Sequence, residues 1–465
     1  MTKTAVILGA GVSGLYAATK FLEKGIDVHI IEKDDHAGGL SSTIIKEGCP
    51  MEYGPHTFHT VFNDMLDEFK HYVGKDFVMN RLDRQLSFGG KFYKYPPTFV
   101  DILKQTSPLV ILKCFFSFSY SLMKRKLKLG SEKNAEEWLI NNYGKELYKI
   151  YFKDYTEKVW GIPPNKLSTI FVSQRIPKIS IRQILLEQFK KGIINMRKGD
   201  HIYAPHVSHI YYSKQGSGKL PNELLKSILK KGAKIYYNSD ITSISSSKNK
   251  ARSINFVSDN NKITLKFDYM VSTVPLFDLL QYISPSAPDK VIRASKQLHY
   301  RKIDVVAFHL KKDRVINPQW VYYRDRSFNR LSEPKNYGLH MPKGTTVIYL
   351  ELSGNQASTK EAITKKLIEE LESEGLVKKE EIINSFFLST EFGYPIYNIG
   401  FEKRLAVIKQ YLGNYNNLYS IGRQGLFKYI DMDICMKMAQ LTVNHMCSND
   451  AKKDVYITTN EVAFF

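Results

Sequence analysis

A short apolar run that meets a glycine-rich turn constrains the fold of this chain most strongly. Residues 4–8, TAVIL, precede Gly9, Gly11 and Gly14 in the pattern GxGxxG, and LYAATKFLEKG then has helical spacing. A strand, a tight turn and a helix in this order can bind a pyrophosphate, because each glycine has a separate role. Gly9 allows the turn, Gly11 lets the phosphates approach the backbone, and Gly14 lets the helix pack on the strand.

A second strand supplies the next part of this signature. DVHIIEK ends near Glu32, about 20 residues beyond the glycines, where a carboxylate can accept hydrogen bonds from ribose hydroxyl groups. The N-terminus of the intervening helix favours anions through its free N–H groups. The sequence therefore predicts an α/β fold with a Rossmann-like dinucleotide-binding domain, and a purely structural glycine turn is the alternative.

Charge and length limit the classes of ligand. A chain of 465 residues is long for one hydrophobic core, so two or three lobes are expected. Lys and Arg number 67 against 46 Asp and Glu, which gives a net charge of +21 and suits phosphate-bearing ligands, nucleic acid or an anionic membrane. The lysines are dispersed and form no recognisable nucleic-acid-binding module, so nucleic acid is not an expected partner.

Cysteine usage and the N-terminus favour the cytoplasm. The four cysteines contain no CxxC pair, which argues against a zinc site or a disulfide framework. No charged leader precedes an apolar core at the N-terminus, so no cleaved signal is expected. We therefore expect a cytoplasmic protein, and the sequence leaves open whether it forms a homo-oligomer.

The most apolar later stretch is SPLVILKCFFSFSYSLM, at 107–123, and it runs into KRKLKLG. Lys113 interrupts it, and it is shorter than a usual membrane-spanning helix. One interpretation is a core helix with a solvated basic end. The other is peripheral contact of residues 107–128 with the inner face of a membrane through aromatic residues and lysines.

The segment after Glu32 carries a resemblance to a known family. KDDHAGGLSST contains Gly38 and Gly39, which resemble the second glycine pair of flavoproteins related to amine oxidases, protoporphyrinogen oxidases and UDP-galactopyranose mutases. Residues 218–245 and 269–275 resemble the segments that return to their FAD domain. The resemblance implies FAD as cofactor. The contacts expected with FAD are Gly9, Gly11, Gly14, Glu32, Lys33, Gly38, Gly39, His56, Ile241, Gly422, Asp431 and Met432.

The same resemblance implies a discontinuous FAD domain with two inserts. We assign residues 1–90, 200–275 and 415–465 to the FAD domain. Residues 91–199 have helical patterns and are assigned to a helical cap, and residues 276–414 contain strand-like runs and are assigned to an antiparallel-sheet substrate domain.

Several longer runs resemble UDP-galactopyranose mutases in particular. EYGPHTFHT resembles the segment beside the isoalloxazine ring, and GGKFYKYPP resembles the strand that follows it. YFKDYTEKVWGIPPNKLS resembles the helix with a uracil-stacking tyrosine and an active-site tryptophan. LHYRK, YPIYN and GRQGLFKYIDMD resemble a mid-chain arginine segment and the C-terminal substrate and flavin segments. The substrate contacts implied are Tyr155, Trp160, Arg175, Arg301, Arg423 and Tyr429.

Some positions depart from the mutase pattern. Lys178 and Ile179 stand where mutases carry an arginine near the substrate pyrophosphate, and Arg175 or Arg182 could substitute for it. Phe427 replaces a tyrosine that is common in mutases. The run NRLSEPKNYG is closer to the oxidase-like relatives, so a substrate other than UDP-galactopyranose is open.

The chemistry implied by the resemblance is that of a pyranose–furanose mutase acting on a nucleotide sugar for surface polysaccharide. Reduced flavin N5 acts as the nucleophile at the anomeric carbon, so the protein mainly positions the sugar and stabilises the departing phosphate. Arg301 and Arg423 are expected to bind the pyrophosphate because guanidinium groups bind phosphate oxygens in a bidentate manner. Tyr155 could stack on the base, at about 1–3 kcal/mol, and Tyr429 could bind a phosphate.

Two histidines remain, His56 and His59, on the loop expected beside the flavin. No neighbouring cysteine or carboxylate pattern completes a metal site, so no metal is expected. We predict flavin contact for both and assign His59, Arg301 and Arg423 to catalysis; structural hydrogen bonding and acid/base use are alternatives for His59. An amine-oxidase-type flavin oxidoreductase and a noncatalytic FAD scaffold are the alternative functions.

Overall fold

The computed structural model describes residues 2–95, 107–127, 129–175, 209–353 and 359–448, without the side chains of residues 174, 175 and 353. The strands are β1 Thr4–Leu8, β2 Asp27–Ile31, β3 Ile44–Lys46, β4 Cys49–Met51, β5 Phe77–Arg81, β6 Arg84–Phe88, β7 Lys91–Lys94, β8 His209–Ser213, β9 Lys234–Tyr236, β10 Asp240–Ser247, β11 Lys250–Ser258, β12 Asn261–Lys266, β13 Tyr269–Ser272, β14 Ile283–Ser284, β15 Tyr300–Leu310, β16 Trp320–Tyr323, β17 Arg330–Ser332, β18 Thr346–Ser353, β19 Ile382–Pro395 and β20 Leu418–Ser420.

The helices alternate with these strands in the parts that form the parallel sheet. They are α1 Val12–Leu22, α2 Asn63–Val73, α3 Pro108–Lys126, α4 Ala135–Tyr143, α5 Lys145–Leu147, α6 Asp154–Trp160, α7 Thr169–Arg175, α8 Lys219–Lys230, α9 Leu276–Tyr282, α10 Asp289–Lys296, α11 Lys360–Ser373, α12 Phe401–Leu412, α13 Gly422–Gly425 and α14 Met432–Cys447.

A five-stranded parallel sheet forms the nucleotide-binding part, in the order β20-β13-β1-β2-β9. Val6, Ile7 and Leu8 of β1 are fully buried, as expected for the central strand of a sheet covered on both faces. Ile7 belongs to the core shared with α1, α8 and α14, whereas Val6 and Leu8 belong to the core on the opposite face. The predicted Rossmann-like α/β fold is confirmed.

A second, seven-stranded sheet lies in the order β19-β15-β18-β17-β16-β6-β7. Its pairs are antiparallel except β16 with β6, which is parallel; β6 comes from the N-terminal part of the chain. Our sequence division has its first boundary between β6 and β7, yet both strands extend this sheet. The domain boundaries stay predictions.

Smaller elements complete the scaffold. The sheet β12-β11-β10-β14 contains two tight hairpins, whose turn residues Lys248, Asn249, Asp259 and Asn260 all have positive φ. These are the positions where SSSKNKARS and SDNNK predict turns. Helices α3 to α7 follow one another in the region predicted as helical, and α3 packs against α4 and α5. Among the described helices, none combines the length and hydropathy needed to cross a bilayer.

A buried ammonium group holds α6 onto the seven-stranded sheet. Lys158, on α6, reaches into the loop between β16 and β17. Its Nζ donates to the carbonyl oxygens of Tyr323 at 3.0 Å, Arg326 at 2.5 Å and Phe328 at 2.7 Å, and the carbonyl oxygen of Arg324 lies slightly farther away, at 3.4 Å. A carbonyl group that is shielded from water and loses its donor has no hydrogen bond to replace the lost one, which is energetically costly. This one side chain therefore fixes both the loop and the helix.

We expect Lys158→Met to lower the free energy of unfolding by about 2–3 kcal/mol, since the substitution removes a charged donor from several carbonyls at once. Urea unfolding followed by circular dichroism measures the change. Lys153→Met is the matched control, because Lys153 is exposed just before α6, and it should change stability by less than about 0.5 kcal/mol. Equal stability of the two variants would contradict this role of Lys158.

Candidate active site

The GxGxxG turn joins β1 to α1 and leaves space beside the first turn of the helix. Gly9 has a φ of +95°, and its N–H group donates to Ile31 O at 2.9 Å. A Cβ atom on Gly14 would lie 2.0 Å from the carbonyl oxygen of Gly9, so the close packing of helix on strand requires glycine. A Cβ atom on Gly11 would meet no described heavy atom within 4 Å. The open side of the turn therefore lies where a pyrophosphate is predicted.

The second glycine pair lies against this turn. Gly38 and Gly39 have φ values of +113° and +53°, and the Gly38 N–H group donates to Ala10 O at 2.9 Å. Gly38 also packs on Ser42, whose buried hydroxyl makes no hydrogen bond within the described part of the chain. A buried hydroxyl without a partner, beside an open helix N-terminus, fits a polar ligand that supplies the missing bond.

Glu32 is buried at the end of β2, next to the same turn. Its Oε2 accepts from the Ala10 N–H group at 2.6 Å and its Oε1 from the Asp34 N–H group at 3.0 Å. Burial raises the pKa of Glu32, and these N–H groups oppose the rise. Lys33 is exposed, and Ile241 is half-buried on β10. Together with the glycine turn, the Glu32 carboxylate fits a bound dinucleotide.

His59 forms an ion pair with a residue from the far end of the chain. Its Nε2 lies 3.0 Å from Oδ2 of Asp431, the residue before α14, which begins at the buried Met432. Burial lowers the pKa of His59, but Asp431 outweighs it, so the pKa lies above the usual value. Burial, then Asp431, raises the pKa of Asp433 to about 6. No group of three or more His, Cys, Asp or Glu suited to a metal ion occurs among the described residues.

His56 stands in a positive electrostatic field. Its backbone N–H group donates to Gly54 O at 2.9 Å. Burial and the guanidinium groups of Arg423 and Arg330 lower the pKa of His56 to about 3. The imidazole is therefore neutral at neutral pH.

Arg423 adjoins the first turn of α1. It follows Gly422, where a Cβ atom would lie 2.7 Å from Oγ of Ser13. The Arg423 Nε and Nη2 atoms donate to Ile430 O at 3.0 Å and 2.8 Å, and the guanidinium carbon lies 4.7 Å from the centroid of the Tyr429 ring. The Arg423 Nη2 atom also lies 3.5 Å from Oδ1 of Asp431, and the side chain is 13% exposed.

Aromatic side chains surround this arginine. The Tyr429 ring centroid lies 4.9 Å from that of Tyr394, and the Trp160 centroid lies 5.9 Å from Tyr394. Tyr155 is half-buried on α6; burial, and then the neighbouring Tyr322, raise its pKa well above the usual value. Three predicted substrate contacts thus lie in one neighbourhood: Tyr155 and Trp160 on α6, and Tyr429 in the segment before α14.

Arg301 makes different contacts from those of Arg423. Its Nε donates to Val159 O and its Nη2 to Lys158 O, both at 3.2 Å, and its guanidinium packs on Gly161. These bonds satisfy carbonyl groups at the C-terminus of α6, where orphan acceptors need donors. Arg301 therefore supports the helix that carries Tyr155 and Trp160, and its predicted catalytic role stays a prediction.

The sequence reasoning missed a polar group on three adjacent strands. Tyr322, Arg330 and Glu351 face each other across β16, β17 and β18, because the register pairs Tyr322 with Arg330 and Arg330 with Glu351. Arg330 forms an ion pair with Glu351, and both lie close to Gly54 on the histidine loop. The runs WVYYRD and TTVIYLELS indicate β16 and β18, but β17 was not predicted, and the register that joins the three residues depends on the turns between strands.

Some predicted residues lie outside this description. The Arg175 side chain at the end of α7 and all of Lys178, Ile179 and Arg182 fall outside the described residues. Phe427 is described: it has a φ of +51°, is 1% exposed, and packs 5.0 Å from the ring of Tyr300. The phenylalanine at this position is therefore part of the aromatic core.

Known relatives cover the chain unevenly. A probable UDP-galactopyranose mutase from Klebsiella pneumoniae is 29% identical over 180 residues, which are 38% of this chain and 45% of that protein. A dTDP-fucopyranose mutase from Escherichia coli is 28% identical over 179 residues, 37% of this chain and 45% of that protein. The match thus spans less than half the length of each of these curated relatives.

Solved structures match the whole fold. A crystal structure of reduced UDP-galactopyranose mutase has a TM-score of 0.84 at 20% identity and covers 100% of this chain and 99% of its own. Wild-type putrescine oxidase bound to putrescine has a TM-score of 0.63 at 14% identity, with 96% and 98% covered. At these identities the likeness concerns the fold alone.

The family model described as flavin containing amine oxidoreductase matches residues 12–378, which are most of the chain and include Gly14, Glu32, the histidine loop and Arg330. The chain belongs to the flavin containing amine oxidoreductase family.

Proposed function

We propose that this flavin enzyme binds FAD and acts as a pyranose–furanose mutase on a nucleotide sugar, in the cytoplasm, for surface polysaccharide synthesis. The observation that carries the proposal is a pair of guanidinium groups among tyrosines: Arg423, which follows Gly422 beside the first turn of α1, and Arg330, which lies beside Gly54 on the histidine loop. A nucleotide sugar carries a doubly charged pyrophosphate, which guanidinium groups bind through planar, charge-assisted hydrogen bonds.

The electrostatics of the histidine loop support an anionic substrate. The pKa of His56 falls to about 3 because burial and both guanidinium groups disfavour its cationic form. Glu351 neutralises part of the charge on Arg330, whereas Arg423 donates to the neutral carbonyl of Ile430 and has a more distant carboxylate, Asp431 Oδ1, at 3.5 Å. A protonated amine would be repelled by this positive field and an apolar substrate would gain nothing from it, whereas a diphosphate would gain directly.

Each residue then has a role that its contacts allow. When reduced FAD is bound, its N5 atom supplies the nucleophile for the anomeric carbon. Arg423 would bind the departing phosphate and Tyr155 would stack on the base. His59 holds a proton against Asp431 through Nε2, and its Nδ1 has no hydrogen-bond partner among the described residues, so this nitrogen could contact the flavin.

A panel of sugars tests the function directly. The dithionite-reduced holoprotein is incubated with UDP-, GDP- and dTDP-linked pyranoses, and products are identified by NMR. We expect a furanose from at least one substrate and no net redox change. If no furanose forms while the oxidised protein consumes oxygen with another substrate, the mutase proposal is wrong.

One observation favours a second candidate, a flavin oxidoreductase of the amine-oxidase type. Arg330 lies in NRLSEPKNYG, the run that is closer to oxidase-like relatives, and its ion pair with Glu351 reduces the free positive charge. Oxygen consumption coupled to substrate oxidation identifies this function. A protein that binds FAD tightly but reacts with neither sugars nor oxidisable substrates would contradict both candidates.

We predict that Arg423→Ala lowers kcat/KM by about 100-fold or more while FAD content stays close to that of the wild type, because the guanidinium is assigned to the departing phosphate. Turnover and flavin absorbance are measured on the same preparation. Arg293→Ala, at an exposed position on α10, is the control and should change neither. Parallel loss of turnover and FAD would make Arg423 a cofactor or folding residue instead.

Stacking by Tyr155 gives a separate prediction. Tyr155→Ala should weaken binding of the preferred nucleoside diphosphate by about 10-fold to 100-fold, the range expected for loss of one aromatic stack. Tyr155→Phe keeps the ring and should stay within about twofold of the wild type, since stacking needs no hydroxyl group. Calorimetric titration of the reduced protein measures all three affinities. Loss of affinity in the phenylalanine variant would assign the role to the hydroxyl group.

A further inference from the structure

Helix α3 exposes a continuous apolar stripe. Its members follow one another at intervals of three and four residues, which places them on one face of the helix. The stripe consists of Leu109, Leu112, Phe116, Tyr120, Met123 and Leu127, and each of these side chains is more than half exposed. Single exposed apolar residues are ordinary on protein surfaces, but a contiguous patch of this length indicates an interaction surface.

The opposite face of α3 is already held by the protein. Ser121 is buried, and Arg125 Nη1 donates to Asn142 Oδ1 on α4 at 2.8 Å. The backbone of Phe118 is so close to Gly144 that a Cβ atom there would lie 2.7 Å from Phe118 N. The helix is therefore fixed along its inner face, and its outer stripe is presented parallel to the protein surface.

Lysines border the stripe on both sides. At about 100° per residue, Lys113 and Lys124 fall on one flank of the apolar face and Lys126 falls on the other. All three are exposed, and a lysine stem can lie along an apolar surface while its ammonium group reaches outward. An apolar centre with lysines at both edges is the pattern of a helix that lies in the interface of a bilayer.

Charge complementarity identifies the partner. Residues 102–131 contain no Asp or Glu, and the whole chain carries a net charge of +21. Two copies of α3 facing each other would bring lysines against lysines with no carboxylate from either helix to compensate. Anionic lipid headgroups supply the missing negative charge, and acyl chains accept the leucines, phenylalanines and methionine.

We propose that residues 108–127 dock the protein on an anionic lipid bilayer, with the axis of α3 parallel to the membrane plane. The docking surface is separate from the tyrosine and arginine cluster, so the proposal stands whether the enzyme is a mutase or an oxidoreductase. It also explains why α3 exposes an uninterrupted apolar face although its opposite face already packs against the protein.

The test measures binding of the full-length holoprotein to vesicles of phosphatidylcholine with phosphatidylglycerol, and to vesicles of phosphatidylcholine alone, by sedimentation. We expect binding to the anionic vesicles only, weakened by added salt. The double variant Leu112→Ser/Phe116→Ser and the triple variant Lys113→Gln/Lys124→Gln/Lys126→Gln should each lower the partition coefficient by about tenfold or more. Unchanged flavin content and circular dichroism show that the variants fold.

Leu229→Ser is the control, because Leu229 is 44% exposed on α8, away from the stripe, and it should bind as the wild type does. Equal binding to neutral vesicles, no binding to either kind, or equal weakening by Leu229→Ser would overturn the proposal. A dimer in sedimentation velocity that Leu112→Ser/Phe116→Ser abolishes, without vesicle binding, would assign the stripe to a second copy of the chain.

Discussion

The contact between α1 and β1 at Gly14 and Gly9 determines how the rest of the molecule is used. With only 2.0 Å between the carbonyl oxygen of Gly9 and the position of a Cβ atom on Gly14, the helix begins directly on the sheet. Its first N–H groups consequently face open space at Gly11, where phosphate can be bound by backbone alone. Groups placed next to that turn, including Arg423 through Gly422 and Ser13, are positioned relative to the proposed phosphate-binding space.

The candidate site combines this turn with groups that carry opposite charges. Arg330 contacts Glu351, and Asp431 lies between His59, at 3.0 Å, and Arg423, at 3.5 Å. The Arg423 guanidinium also bonds a main-chain carbonyl and stacks on Tyr429, so its carboxylate partner is shared and more distant than that of Arg330. This arrangement is easier to reconcile with an anionic substrate than with an apolar one.

The fold was predictable because its signals are local. The apolar run 4–8, the glycines after it and Glu32 specify strand, turn, helix and strand within one short segment, and the parallel sheet confirms them. The polar group of Tyr322, Arg330 and Glu351 was not predictable in the same way, since it exists only through the register of three strands. The role of Arg301 was difficult to predict for a related reason. A guanidinium group is suited to binding phosphate, but the hydrogen bonds of Arg301 to α6 depend on tertiary packing that no local sequence pattern encodes.

The pairing of His59 with Asp431 has a consequence for how the protein comes into being. The two residues are 372 positions apart, and Asp431 directly precedes α14, the last described helix. During synthesis on the ribosome, the glycine turn and the histidine loop emerge early, and 372 further residues must follow His59 before its carboxylate partner exists. A nascent chain, or a chain shortened so that it ends before Asp431, therefore carries the glycine turn without the completed site.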